Sequence, residues 1–412
     1  MSNIRFTRAL VLSQNYHPEP IGSGPYMTEL AEHLAAHGMK VDVVTNRPNY
    51  PDGHVPHEFR DGRKDLEIQH GVTIRRLKPT LINERGVVGR LIGEGMFLLR
   101  GLLALLFVPG RRRTVVVSLC PSIFTVLLGW IAAGRRSAHF AIVHDIQSGL
   151  AAGLSFLGNG RLLTWLRRLE AFALNRADVV LVLSEQMQEQ LRRIGVTARI
   201  EILPIWIDTA KVAPQPVPRS NEIIVMYSGN FGRKQHLGQV IDMAERLQRQ
   251  GSGIRIVLRG QGGEEQTLLR AVRDRKLSNV SFGPLVPAAN LADSMAQADI
   301  HIVSQHPDIA DFAVPSKIYT IMAAGRPFVA AAPEASLLWQ MSEASDAFIC
   351  VPSGNADALA QAIDRLARDE DARAALARNG RDYVVRLHDR NRVLDGFLAV
   401  VESAVEARRN AA

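Results

Sequence analysis

Short apolar runs alternate with amphipathic stretches along the whole chain. Residues 9–12, 41–45, 74–77, 115–118, 140–143, 179–184 and 200–203 read as the strands of a first unit. Several are apolar at every position, the pattern of parallel strands covered on both faces. Between the first two, residues 25–37 place Met27, Leu30, Ala31 and Leu34 on one helical face. Gly38 follows, the residue type that closes helices in the left-handed conformation. Pro214, Pro216 and Pro218 fall within five residues and predict an extended, helix-free linker over 208–222. A second strand series then runs through 223–228, 254–259, 280–282, 300–304 and 327–331, with helices between. Strand-then-helix order predicts an α/β protein of two Rossmann-like, doubly wound parallel-sheet domains, 1–207 and 223–388. Residues 389–412 end the chain with one amphipathic helix carrying Val393, Phe397, Val400, Val401 and Ala404 along one face.

Composition narrows the class. Of 412 residues 47% are hydrophobic and 22% charged, which excludes a mostly disordered chain. The most membrane-like stretch, 87–108, is interrupted by Arg90, Glu94 and Arg100. Its uncharged part, 101–108, is far short of the ~20 residues a span needs, so no crossing is expected. The apolar core 9–12 is too short for a signal peptide and reads as the first strand. Cys120 and Cys350 supply neither a disulfide framework nor a structural zinc site, which points to a reducing, cytoplasmic setting. The net charge is +8, of which +7 lies in residues 1–210 and +1 in 211–412. An anionic partner therefore belongs to the first half. The basic residues lack interleaved aromatics, which argues against nucleic acid.

Candidate chemistry gathers where strands end. No G-x-G-x-x-G follows the first strand, so the dehydrogenase reading loses its main support. Instead Gly22-Ser23-Gly24 precedes a helix, where glycines let the backbone approach an anion or a sugar. In the second unit a strand runs into Gly229-Asn230-Phe231-Gly232-Arg233-Lys234. Free amides, close approach and adjacent cations are what a diphosphate requires. A further glycine loop, Gly260-Gln261-Gly262, closes another strand, and Pro315-Ser316-Lys317 opens a helix with Ser316 as its expected N-cap. Ligands bind beyond the carboxyl ends of parallel strands, so these features reinforce one another. In the first unit His144-Asp145 follows the strand 140–143, and His144 is placed to donate to a sugar hydroxyl or hold a reacting group. No Asp-x-Asp triplet suited to a metal-bound diphosphate occurs, which leaves Lys and Arg to stabilise a leaving diphosphate and predicts no catalytic metal.

Together these residues, with Ala323-Ala324-Gly325-Arg326-Pro327 and the segment 45–51, resemble bacterial GT-B glycosyltransferases. The likeness narrows to the retaining transferases of family four, and within them to the colanic-acid-type enzymes of exopolysaccharide assembly. The resemblance implies two domains facing a cleft, an acceptor domain first and a nucleotide-sugar domain second, with the C-terminal helix crossing back to the first. It implies that Gly22 and Gly24 lie near the diphosphate, that His144 with Asp145 belongs to the catalytic pocket, and that Lys234 binds the diphosphate. Pro315, Ser316 and Lys317 would hold phosphates, and the base would sit near Gly260, Gly262 and Val286. Asn230 stands where many members carry arginine, a charge Arg233 is placed to supply. The Glu-x7-Glu signature is absent: its second position is Thr320 and its first lies near Phe312, beside Asp311. Asp308 or Asp311 would contact donor sugar hydroxyls.

The implied reaction is retaining transfer from a UDP- or GDP-linked sugar, with no further cofactor, to a saccharide on a polyprenyl diphosphate. That acceptor would place the protein peripherally at the inner face of the cytoplasmic membrane. Residues 96–108 with Arg111–Arg113, and 162–169 with Arg161, Arg167 and Arg168, suit an anionic leaflet. Two other readings fit the same residues: a GT-B sugar-nucleotide 2-epimerase, and a non-catalytic partner that binds a sugar nucleotide or lipid.

Overall fold

The computed structural model describes residues 8–19, 22–49, 53–80, 87–108, 114–120, 122–146, 148, 160–216, 222–286, 290–307, 315–334 and 336–410. The chain divides into two compact units, Met1–Pro204 with Leu394–Ala412, and Ile205–Val393.

The first unit holds β1 (Arg8–Leu12), β2 (Lys40–Asn46), β3 (Leu66–Gln69), β4 (Val72–Leu77), β5 (Thr114–Cys120), β6 (Ala138–Val143), β7 (Val179–Val182) and β8 (Arg199–Ile202). They form one sheet in the order β3-β4-β2-β1-β5-β6-β7-β8. Every pair is parallel except β3 with β4, which is antiparallel. The helices between them are α1 (Gly24–Ala36), α2 (Val87–Ala104), α3 (Ile123–Ala133), α4 (Gly160–Leu174) and α5 (Glu185–Arg193). Continuous apolarity in β6 and β7 matches complete burial of both strands. On one face Leu10, Leu12, Val44 and Val116 pack under Phe97 of α2 and Leu128 of α3. Each such fully buried Leu or Phe contributes about 1.5–3 kcal/mol.

The second unit is a six-stranded sheet of β9 (Ile224–Ser228), β10 (Arg255–Arg259), β11 (Val280–Gly283), β12 (Ile300–Ser304), β13 (Phe328–Ala332) and β14 (Ile349–Pro352). Its order is β11-β10-β9-β12-β13-β14, parallel throughout. Its helices are α6 (Gly238–Arg249), α7 (Glu265–Asp274), α8 (Leu291–Ala296), α9 (Lys317–Ala323), α10 (Leu337–Ser345), α11 (Ala356–Arg368) and α12 (Glu370–Leu387). The last helix, α13 (Arg390–Asn410), starts in this unit, and from Leu394 it belongs to the first. There Phe397 meets Phe140 edge-on at 6.0 Å, and Arg408 pairs with Asp178 and donates to the Gly134 carbonyl.

Two strands, β3 and β14, go beyond those the sequence pattern predicts. β3 is a four-residue edge strand whose apolar residues face outward, with Leu66 58% and Ile68 76% exposed, and it turns back through His70 (φ 48°) and Gly71 (φ 79°). Positive φ at both central residues is the hairpin geometry that matches strand twist. β14 lies at the far edge and ends in Pro352, a residue type that demotes a run as a strand. The proline-containing stretch read as a linker is, over 208–216, packed within the second unit. Ile207 bridges to Asp389, the His388 Nδ1 donates to the Ile205 carbonyl at 2.7 Å, and Arg381 donates to the carbonyls of Thr209 and Val212.

Candidate functional site

In the first unit the carboxyl ends of β1, β5 and β6 lie side by side. The loop after β1 reaches α1 through Gly22, at φ 71°, a left-handed conformation that favours glycine. Ser23 takes the cap position in helical conformation and its side chain makes no cap bond. A Cβ on Gly24 would stand 3.1 Å from the Glu19 carbonyl, so this glycine is needed for the loop to fold against itself. His144 follows β6, its amide bonded to the Cys120 carbonyl at 3.2 Å. The ring is half-buried with its Nε2 enclosed, and it meets Tyr26 of α1 edge-on at 5.5 Å, which joins the glycine-loop helix to the end of β6. Among the described residues its Nε2 has no hydrogen-bond partner. Burial pushes its pKa from 6.5 to about 4, so at neutral pH His144 is an uncharged imidazole. Asp145 is half-buried beside it. Ser148, four residues on, donates its hydroxyl to the buried Glu170 at 2.6 Å.

In the second unit the loops after β9, β10 and β12 come together because those strands are neighbours. Gly229 N bonds to the Arg259 carbonyl at 2.9 Å, Phe231 N to that of Gln261 at 2.8 Å, and His306 N to that of Lys234 at 2.8 Å. The glycines of the β10 loop serve this contact. A Cβ on Gly260 would stand 1.9 Å from the Gly229 carbonyl, and one on Gly262 2.5 Å from the Asn230 side chain. Both glycines, read from the sequence as flanking a base, are thus required for loop to meet loop. Gly232 is similar, its space limited by the Asn230 and Gln235 side chains.

Lys317 opens α9 and is the most unusual cation here. Its ammonium is fully buried, 3.8 Å from the centroid of the Tyr227 ring, and without a hydrogen-bond partner among the described residues. It stands 3.1 Å from where a Gly229 Cβ would be, so the glycine keeps that space open. Burial lowers its pKa from 10.5 to about 7. The cation–π contact offsets about 0.5–2 kcal/mol of the desolvation cost, and an anion would offset the rest. Ser316 occupies the cap position of α9 with no side-chain cap bond, contrary to its expected role. The helix is only seven residues long, so the side chain of Lys317, rather than the helix terminus, carries the argument. Lys234 is half-buried in a single 3₁₀ turn, Arg233–Gln235. Arg233 is 76% exposed and 4.0 Å from Glu264, a loose surface contact. Thr320 lies on α9, Pro315 just before it, and Val286 just after β11, all half-buried. Asp308, Asp311 and Phe312 lie outside the described residues, as do Arg111–Arg113 and the side chain of Arg161.

Four participants escaped the sequence reading. Tyr227 faces the core from β9 and is the platform under Lys317, and its signal is an aromatic two residues before a strand-end glycine. Tyr26 holds His144, and a helical aromatic gives no such signal. His236 (φ 45°), two residues after Lys234, and His306, whose amide bonds to the Lys234 carbonyl, face each other with rings 5.2 Å apart.

Comparison with known proteins gives the family. Residues 22–206 match the glycosyl transferase 4-like domain and residues 208–383 match the glycosyl transferases group 1 domain. The colanic acid biosynthesis glycosyl transferase WcaI of Escherichia coli strain K12 is 29% identical over 409 residues, covering 95% of this chain and 98% of that protein. Among solved structures, the sucrose-phosphate synthase of Thermosynechococcus elongatus superposes with a TM-score of 0.77 at 19% identity, over 97% of this chain and 100% of that one. HepE of Anabaena, solved in complex with UDP-glucose, does so with 0.71 at 17% identity, over 96% and 99%. Two consecutive family domains on two parallel-sheet units identify the chain as a GT-B glycosyltransferase of family four, group 1, related to a colanic acid biosynthesis enzyme.

Proposed function

We propose that the protein transfers a hexosyl group from a UDP- or GDP-linked sugar, with retention of anomeric configuration, to a saccharide carried on a polyprenyl diphosphate, in exopolysaccharide, capsule or O-antigen assembly. The observation that carries this reading is Lys317, a buried ammonium with no anionic partner among the described residues, beside a glycine-bounded loop. A nucleoside diphosphate supplies the missing charge. That HepE was solved with UDP-glucose supports the same class of donor. Lys234 and Arg233 then stabilise the departing diphosphate, and no metal ion is assigned to that role. In the reaction the acceptor hydroxyl oxygen bonds to the anomeric carbon on the face that the diphosphate leaves. The bonding pair of the broken C–O bond departs with the β-phosphate, and the hydroxyl proton passes to a β-phosphate oxygen. His144, neutral and with no partner for Nε2 among the described residues, orients a sugar hydroxyl rather than moving a proton as a cation.

The acceptor reading is supported by α2, α3 and α4, which pack side by side with α3 in the middle. Leu103 at the end of α2, and Leu106 and Phe107 in the single 3₁₀ turn that follows it (Leu105–Phe107), are 63–73% exposed, and Trp165 stands beside exposed Arg167 and Arg168 on α4. Apolar side chains next to cations fit the face of an anionic leaflet. No helix among the described residues is long and apolar enough to cross a membrane.

A thermal-shift panel of UDP, GDP and their sugars tests the donor, because a nucleotide that binds the folded state raises its melting temperature. One nucleotide series should stabilise the protein, and silence across the panel would refute the reading. Lys234→Ala should retain donor binding yet lose about 10²-fold or more in kcat with EDTA present. Unchanged kcat removes Lys234 from its role.

A further inference from the structure

A second cluster of chemistry-bearing side chains lies at the opposite end of α1 from the glycine loop. His33 and His37, four residues apart, share one face of the helix. Asp395, in the first turns of α13, faces both. Its Oδ1 is 3.0 Å from His33 Nε2 and 3.8 Å from His37 Nε2, and one ligand atom from each of the three residues lies within 4.8 Å of the others. Two bonds of about 2.0 Å at a tetrahedral cation subtend an edge of about 3.3 Å, so small side-chain adjustments close the set.

The tautomer of His37 gives an independent reason for a cation. Its Nδ1 lies 2.8 Å from the His33 carbonyl oxygen, an acceptor, so Nδ1 must be the donor. In the neutral ring Nε2 then presents a lone pair, and it presents it toward a carboxylate oxygen. Acceptor facing acceptor is unfavourable unless a positive charge lies between them. An Nδ1–H bonded to a backbone carbonyl is also the outer contact that orients a metal-bound imidazole. The rings of His33 and His37 are 4.3 Å apart and tilted by 43°, which brings both edges to the same side. His37 and Asp395 are exposed enough for a hydrated ion to enter.

We propose that His33, His37 and Asp395 bind one divalent transition-metal ion of the Zn²⁺ class that clasps α13 to α1. Two imidazoles and a carboxylate, with water completing the shell, suit Zn²⁺ or Co²⁺ and disfavour Mg²⁺, which prefers an octahedral oxygen set. The clasp is structural. Asp395 is the second residue of α13 assigned to the first unit, so the ion fixes the place where the helix joins it. His33 is nine residues beyond Gly24, about 14 Å along the helix, which separates the clasp from donor chemistry.

The test titrates chelator-stripped full-length protein with Co²⁺ and then Zn²⁺, alongside Asp395→Asn and His37→Ala, two solvent-facing changes that leave the core intact. Wild type should bind one Co²⁺ with visible absorption characteristic of few-coordinate geometry. Zn²⁺ should displace it, raise Tm, and slow amide exchange over residues 394–408. Each variant should bind at least about tenfold more weakly and lose the Tm shift. Absence of Co²⁺ absorption, affinity unchanged in both variants, or Zn²⁺ binding without slower exchange in α13 overturns the proposal.

Discussion

At the scale of single residues, Lys317 embodies a conflict between stability and binding. Its ammonium, buried with no anion among the described residues, pays its desolvation cost in the free protein, and replacing it with an apolar side chain of similar length removes that cost. Lys317→Met should therefore raise the stability of the free protein by about 1 kcal/mol while weakening nucleoside-diphosphate binding at least about tenfold. Urea unfolding and calorimetry on the same samples read both effects. A variant that is less stable and binds equally well would show the lysine to be a packing element. The sign of the pH dependence follows from the same burial. With a pKa of about 7 in the free protein, Lys317 is half-charged at neutral pH, and an anion raises that pKa. Donor binding should take up a proton above pH 7, and affinity should fall between pH 7 and 9. Calorimetry in two buffers of different ionisation enthalpy measures the uptake.

At the scale of elements, the helix layer of the first unit separates burial from exposure along a single segment. Phe97 and Leu105 of the α2 region are buried against the sheet, whereas Leu103 and Phe107 face outward. Leu103→Asp with Phe107→Asp should leave the fold intact and cut retention on vesicles containing anionic phospholipid several-fold. Equal flotation of variant and wild type would remove α2 from membrane attachment. The same segment shows what a sequence makes legible. Continuous apolar strands, the Gly38 terminus and the glycine-rich strand ends were readable because each follows from local chemistry, and they suffice for two parallel sheets. The edge strand β3 was not, because exposed strands carry no core-facing pattern. Nor was the purpose of Gly260: a strand-end glycine looks the same whether it admits a phosphate or a neighbouring carbonyl, and only the 1.9 Å approach to Gly229 decides. Lys317 was legible as a cation near a helix start. Its burial over Tyr227 depends on which strands are neighbours, and strand order is written nowhere in one segment.

For the whole molecule, buried histidines set the acid limit. His139 in the first unit and His301 in the second are fully buried, His144 is half-buried with its Nε2 enclosed, and desolvation pushes each from 6.5 to about 4. Their folded pKa lies below the unfolded value, so between pH 6.5 and 4 the unfolded chain binds more protons. Stability is therefore intact above 6.5 and is lost as the pH falls through this window. Each fully differential proton contributes a slope of about 1.4 kcal/mol per pH unit, so three together approach about 4 kcal/mol per pH unit. His17, His236 and His388 shift in the same direction and add to the slope. Above pH 7 Lys317 continues the trend, since its unfolded pKa is 10.5, and the free protein should still gain stability toward pH 9. From pH 9 Cys350, whose thiol burial raises from 9.0 to about 12, opposes Lys317, because the unfolded chain then releases the thiol proton first. Urea midpoints at pH 5, 6, 7, 8 and 9 should thus climb steeply from 5 to 6.5 and gently thereafter. With UDP or GDP bound, Lys317 stays protonated, so the gentle upper rise should flatten while the acid limb is unchanged. A free protein whose midpoint is level from pH 5 to 7 would mean that these histidines are not held neutral. An upper limb that is the same with and without nucleotide would place Lys317 outside the donor site.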